Sequence, residues 1–251
     1  MRLQAVVCIL MLAGGASAQR GPFRGPGLRL LDAQPGRPGQ IVKGAPYSAE
    51  VSSETTQVLA DGNKIRQTYS ERLYRDSEGR TRREPSLSLL PGPDSAGCCP
   101  RVAFIDDPVA SASYVLDLGR RSANRIPWQQ RPPNAPGRGR ANNPSDPNSK
   151  TESLGRQLIA GVSAEGTRIT RTIPAGEIGN AQPIQIVTER WYSPELQAVI
   201  LEKRTDPRFG ESTYQWTNIV RVEPPSTLFA VPADFQTSQG PSPRLGRAPR
   251  P

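Results

Sequence analysis

The 251-residue chain contains no histidine. That absence removes the commonest general base near neutral pH, every Ser-His-Asp or Cys-His relay and any imidazole-bound metal. Lysine is scarce too: Lys43, Lys64, Lys150 and Lys203 are the full set. No Ser-x-x-Lys spacing falls in the strand-rich stretches, so a Ser-Lys dyad has no footing. A carboxylate pair of the glycosidase kind has one concentrated candidate, Asp106-Asp107, but Pro108 follows it at a strand end, where two acids serve a turn. The residues predict a protein that is not an enzyme and carries neither cofactor nor metal.

Cysteine is nearly absent as well, with Cys8, Cys98 and Cys99 only. Cys98 and Cys99 are neighbours in a loop rich in Pro, Gly and Ser. Disulfides favour Cα atoms about 4.4–6.8 Å apart, whereas neighbours on a trans peptide sit about 3.8 Å apart, so a bridge between them is a strained eight-membered ring. A redox switch or metal clamp is the functional reading of the pair, and an incidental loop pair the plain one. Two thiols without histidine make a poor zinc site, which takes four ligands.

Long apolar runs are missing except at the start. Arg2 is followed by Ala5-Val6-Val7-Cys8-Ile9-Leu10-Met11-Leu12-Ala13 and then Ala16-Ser17-Ala18. A positive start, a short apolar stretch and a small-x-small site make a secretory signal, and the run is shorter than the roughly 20 residues a membrane span needs. Residues 1–18 are therefore expected to be cleaved after Ala18, taking Cys8 with them. The mature chain, starting at Gln19, is expected to be periplasmic or secreted, with no transmembrane segment.

Charge is present in excess, +9 overall, but unevenly placed. Segment 19–46 carries a net +4, 127–150 a net +3 and 236–251 a net +3, while 47–126 and 151–235 together come to about −2. The three basic segments are dense in Pro and Gly, as in Arg131-Pro132-Pro133-Asn134-Ala135-Pro136-Gly137-Arg138, and bury too little to offset the entropy of ordering. They read as a disordered arm (19–46), a disordered insertion (127–150) and a disordered tail (236–251). Basic flexible segments suit anionic envelope polymers, or serve simply as solubilising linkers. Export and the lack of any recognition motif argue against nucleic acid.

What remains, 47–235 less the insertion, is one domain's worth of residues and reads as strands. Roughly nine to eleven strands are expected, joined by turn signals such as Asp61-Gly62 and Ala160-Gly161. In Tyr47–Leu59, Tyr47, Ala49 and Val51 share a face. In Lys64–Arg75, Ile65, Tyr69 and Leu73 do. In Glu211–Val222, Tyr214, Trp216 and Ile219 are core candidates. Sustained helical periodicity is absent, and Pro194–Gln197 and Ser226–Phe229 look like single helical turns. The expected fold is mainly β, a curved antiparallel sheet.

Three stretches carry a family resemblance. They are Leu154-Gly155 with Ile159-Ala160-Gly161-Val162 leading to Ala164-Glu165-Gly166-Thr167; Glu189-Arg190-Trp191-Tyr192-Ser193-Pro194-Glu195-Leu196; and Leu228-Phe229-Ala230-Val231-Pro232-Ala233-Asp234-Phe235. Over residues 44–235 the chain resembles the outer-membrane lipoprotein carrier and sensor superfamily (LolA-like). It is also similar to secreted proteins that recur in acidobacterial genomes. The resemblance implies a half-barrel whose concave face holds a lipid or lipoprotein acyl chain; the lid arginine of the carriers has no counterpart located here. Trp191, Tyr192 and Ile178 are the candidate ligand contacts. Against that, adjacent strand aromatics commonly place one ring in the core and one at a rim, and Pro174–Asn180, which holds Ile178, lacks the lysine of a phosphate cradle and reads as a lid or connection. Phe229 and Phe235 are expected to plug the end of the sheet rather than touch a ligand. Two functions stay open: an envelope binding protein with an apolar ligand, and an envelope protein-interaction or sensory module without one.

Overall fold

The computed structural model describes residues 41–86, 101–128 and 146–240, all within the compact unit Gln34–Pro251. The expected signal segment, the arm as far as residue 40, the Cys98-Cys99 loop, residues 129–145 of the insertion and the tail from 241 lie outside the described residues.

Side-chain alternation makes the first strands. β1 (Tyr47–Val58) buries Tyr47, Ala49, Val51 and Ser53 and turns Glu50 and Ser52 outward. The Asp61-Gly62 turn, closed by Gly62 N–H donating to Leu59 O (2.9 Å), returns the chain as β2 (Lys64–Arg75) in register from Val58↔Lys64 to Tyr47↔Arg75. Aspartates build the next turns, because a carboxylate can accept from backbone N–H groups two or more residues on. Asp76 accepts from the N–H of Glu78 (3.0 Å) and Arg80 (2.8 Å) before β3 (Thr81–Ser86). Asp107 Oδ1 accepts from Val109 and Ala110, both at 2.9 Å, between β4 (Val102–Asp107) and β5 (Ala112–Asp117). Asp117 does the same for Gly119 and Arg120 before β6 (Ser122–Pro127). Of the Asp106-Asp107 pair, Asp107 is thus the turn device, while Asp106 accepts from Ser113 Oγ (2.6 Å).

The second half runs β7 (Ser149–Ile159), β8 (Val162–Ile173), β9 (Ile184–Ser193), β10 (Ala198–Asp206) and β11 (Gly210–Val220), then a 3-10 turn at Ser226–Phe229 and β12 (Gln236–Gln239). All twelve strands join one sheet in the order β12-β6-β5-β4-β3-β2-β1-β11-β10-β9-β8-β7. Every pairing is antiparallel except β12 with β6. The two outer strands do not pair with each other, so the sheet is open.

Two strand ends differ from the compositional reading. β7 begins at Ser149, inside the segment read as insertion, where Thr172 N–H donates to Asn148 O (2.8 Å). β12 occupies the first residues of the segment read as tail. Its four side chains, Gln-Thr-Ser-Gln, are all exposed, so it is held by backbone pairing with β6, which leaves no hydrophobic pattern to read.

The sheet coils. β2 and β10 are three strand spacings apart, about 14 Å if the sheet were flat. Yet the Arg75 guanidinium of β2 donates to Leu196 O in the turn before β10, at 2.5 Å. Bulges at Ser48/Glu50 against β11, Val199/Leu201 against β9 and Ser153/Gly155 against β8 add local twist and bend. The inner face carries Tyr47, Ala49, Val51, Leu73 and Trp216, which form one core cluster with Leu196, Ile200 and Trp191. The opposite face of β4–β6 is covered by the chain after β11. Val231 and Phe235 pack on Ile105, Leu116, Ala103 and Ala123. Phe229 is buried under Arg80 (5.5 Å to the ring centre), and Arg82 Nη1 donates to Leu228 O at 2.8 Å. Phe229 and Phe235, expected to plug the end of the sheet, pack instead against its outer face.

Candidate functional site

Directly opposed residues in paired strands share a face. The register therefore lines up Tyr214, Ser53 and Tyr69 in one row of the inner face, and Trp216, Val51, Glu71 and Pro85 in the next. A third row runs Ala49, Leu73, Arg83, Phe104, Val115. Around the apolar members, this arrangement gathers two tyrosines, one carboxylate and one guanidinium from β2, β3 and β11.

Their partners are few. Glu71 is 7% exposed, and Tyr69 Oη donates to its Oε2 at a long 3.4 Å. Trp216 Nε1 donates to Tyr214 Oη at 2.6 Å. The Arg83 guanidinium stacks over the Phe104 ring, 5.3 Å from its centre, but its Nε is buried without a hydrogen-bond partner. A buried donor left unmade costs about 1–3 kcal/mol, so this position stores unused bonding capacity. Arg75, on the same face, is by contrast fully employed: Nε donates to Ala45 O (2.9 Å), the guanidinium lies over Tyr47 (4.6 Å) and Nη2 reaches Leu196 O.

Burial sets the electrostatics here. It pushes the Tyr47 phenol up to about 12 and raises Tyr69 and Tyr214 too, so all three stay neutral. Burial also raises the Glu71 carboxyl, against the opposing pull of Arg83's charge and Tyr69's hydrogen bond. An acid whose pKa is higher folded than unfolded contributes most below its ordinary pKa, and that contribution is lost as pH rises through the folded value. Glu71→Gln is accordingly expected to stabilise the protein at pH 7 by about 1 kcal/mol and to flatten the loss of stability above the carboxylate range. Thermal melts at several pH values decide it; a glutamine variant that is less stable at neutral pH would count against a strained carboxylate.

The residues singled out from sequence lie elsewhere. Trp191 is 9% exposed and part of the core; its ring lies so flat on β8 that a Cβ on Gly166 would come within 2.6 Å of it. Tyr192, next to it, is 39% exposed, so one ring is in the core and one at a rim. Ile178, 54% exposed, sits in the β8–β9 connection, closed by Gly176 N–H to Asn180 O (2.8 Å). Trp191 pairs with Gly166 and the hairpin ends at Ile173↔Ile184, so the strand end from which the Ile178 connection leaves is roughly 23 Å along the strands from Trp191. The Tyr69–Glu71–Arg83–Tyr214 group had a faint sequence signal: period two places Glu71 between Tyr69 and Leu73, a charge on the apolar side of β2.

Several other charged positions on the sheet are mutually satisfied. Arg168 meets Glu189 and Arg190 meets Glu202, both at 2.7 Å. A hollow of about 230 Å³ on the outer face of β9–β11 is lined by Val187, Glu189, Lys203, Arg204, Thr205, Glu211, Ser212 and Thr213, nearly all polar. Among the described residues, no three acidic or thiol side chains gather in metal-ligating range, and no helix is long and apolar enough to cross a membrane.

No protein-family model matches the chain, and no curated protein matches its sequence. Solved structures do. A conserved protein from Thermus thermophilus aligns at 12% identity and TM-score 0.41 over 78% of this chain and 91% of its own. A chain of the MucA/MucB complex from Pseudomonas aeruginosa aligns at 13% identity and TM-score 0.42 over 77% of this chain, which spans 58% of that one. A LolA superfamily protein from Nitrosomonas europaea aligns at 11% identity and TM-score 0.32, over 74% and 90% of the two chains. At these values the overlap is partial, and nothing about ligand or activity passes from those proteins to this one.

Proposed function

We propose that the chain is an exported, non-enzymatic binding protein of the cell envelope, periplasmic or secreted, that holds a lipid or other apolar ligand against the inner face of its open sheet. The observation that carries this reading is the end of that face formed by β2–β5. There Phe104 and Val115 are only partly buried, beside Tyr69 and an Arg83 donor with no partner. The end formed by β1 and β11 is already filled by Tyr47, Val51 and Trp216, which directs a ligand toward β2–β5. Trp191, Tyr192 and Ile178 as contacts form a separable version, favoured by the exposure of the last two. Export rests on the composition of residues 1–18, and lipoprotein acyl chains and anionic envelope polymers are the partners it makes accessible.

A second reading has its own support. β7 is an outer strand whose side chains are mostly exposed, Leu158 at 74%. Such an edge suits strand addition by a partner peptide, the interaction-module alternative. Titrating delipidated protein with cis-parinaric acid separates the two: saturable binding near one equivalent is expected, and fluorescence that rises without saturation would favour the interaction module.

A further inference from the structure

Building on the apolar-ligand reading, we infer that Arg83 is the recognition residue for an anionic head group, so that the ligand is an acidic amphiphile rather than a neutral lipid. The geometry comes first. Arg83 projects from β3 onto the inner face between Leu73 and Phe104. Its guanidinium rests on the Phe104 ring, and its buried Nε has no acceptor. A guanidinium offers a planar fork of donors that fits a carboxylate or phosphate. The flanking Phe104 and Val115 supply the apolar surface along which a chain would run from that head.

The groups that couple electrically to Arg83 favour an anion over a cation. Tyr47, Tyr69 and Tyr214 are held neutral by burial, and Glu71 is the acid among them. Burial raises the Glu71 carboxyl and so weakens its hold on a negative charge. An incoming carboxylate or phosphate thus meets a cation opposed by one reluctant acid, whereas an ammonium would meet Arg83 itself. Arg82, one residue earlier, faces the other way; it is engaged by Glu84 (2.7 Å) and Leu228 O, so it does not duplicate the role.

The test compares cis-parinaric acid with its methyl ester on the purified protein, together with inorganic phosphate as a competitor. The acid is expected to bind about tenfold or more tightly than the ester, the scale of one charge-assisted hydrogen bond. Arg83→Gln should bring the two within about twofold, and Arg83→Lys should keep part of the difference. Inorganic phosphate in large excess should leave the acid bound; displacement by it would place a free anion, not an amphiphile, in the site and overturn the inference. Equal affinity of acid and ester for the wild-type protein, or an undiminished preference in a folded Arg83→Gln, would overturn it as well. If Arg83→Gln does not fold, the wild-type contrast and the lysine variant decide. Binding of neither probe would instead defeat the apolar-ligand reading on which this rests.

Discussion

Replacing Trp216 with alanine is expected to destabilise the protein by about 3–5 kcal/mol, the largest single-residue effect on the inner face. Trp216 is fully buried, tilts against Tyr47 with ring centres 4.9 Å apart and donates its indole N–H to Tyr214. Truncation would remove a large buried apolar surface, leave a cavity between β1 and β11, and strip Tyr214 of its donor. Phenylalanine keeps most of the volume and loses chiefly the hydrogen bond, so Trp216→Phe should cost less than half as much. Urea unfolding of both variants reads the difference. A Trp216→Ala protein within about 1 kcal/mol of wild type would mean that the packed end of the sheet is not where stability resides.

The second large effect comes from the β10–β11 turn, in which Gly210 adopts φ +89°. A Cβ there would lie 2.1 Å from Thr56 O and 2.9 Å from Gln57 Cα, both backbone atoms of β1 that cannot step aside singly. Gly210→Ala therefore adds a left-handed-region penalty of about 1–2 kcal/mol to overpacking of about 1–3 kcal/mol. It should also loosen the Thr56↔Glu211 pairing. Gly62 is the matched control: it has φ +83° with open space around its Cβ direction, so Gly62→Ala should show the conformational part alone. Chemical denaturation of the pair checks this; equal losses in the two variants would rule out the backbone clash as the cause.

Much of the fold was legible because strands of this kind advertise themselves. Tyr47, Ala49 and Val51 alternate as their burial does, and the Asp-Gly and Ala-Gly pairs sit where hairpins turn. β12 was not legible, since its exposed polar side chains leave no hydrophobic pattern to read. The site was harder for a different reason. Ser53, Tyr69, Glu71, Arg83, Phe104 and Tyr214 come from five strands, and their neighbourhood is created by pairing β1 with β11, a contact between the two halves of the chain. No linear spacing encodes that. The visible aromatic pair, Trp191-Tyr192, drew attention because it was local, and the structure places its larger ring in the core. Glu71 and Arg83 were readable only as exceptions, charges on strand positions that alternation turns inward, and what made them informative was the strand partners they acquired.

Photolabelling tests whether ligand lies on the inner face across β2–β5. Delipidated protein is incubated with a diazirine-bearing fatty acid, irradiated, digested and mapped by mass spectrometry, with unlabelled fatty acid as competitor. Competable adducts are expected on the peptides that carry Tyr69, Phe104 or Val115. Adducts confined to the Trp191-Tyr192 strand, the Ile178 connection or the β7 edge, or labelling that unlabelled fatty acid does not reduce, would contradict that location.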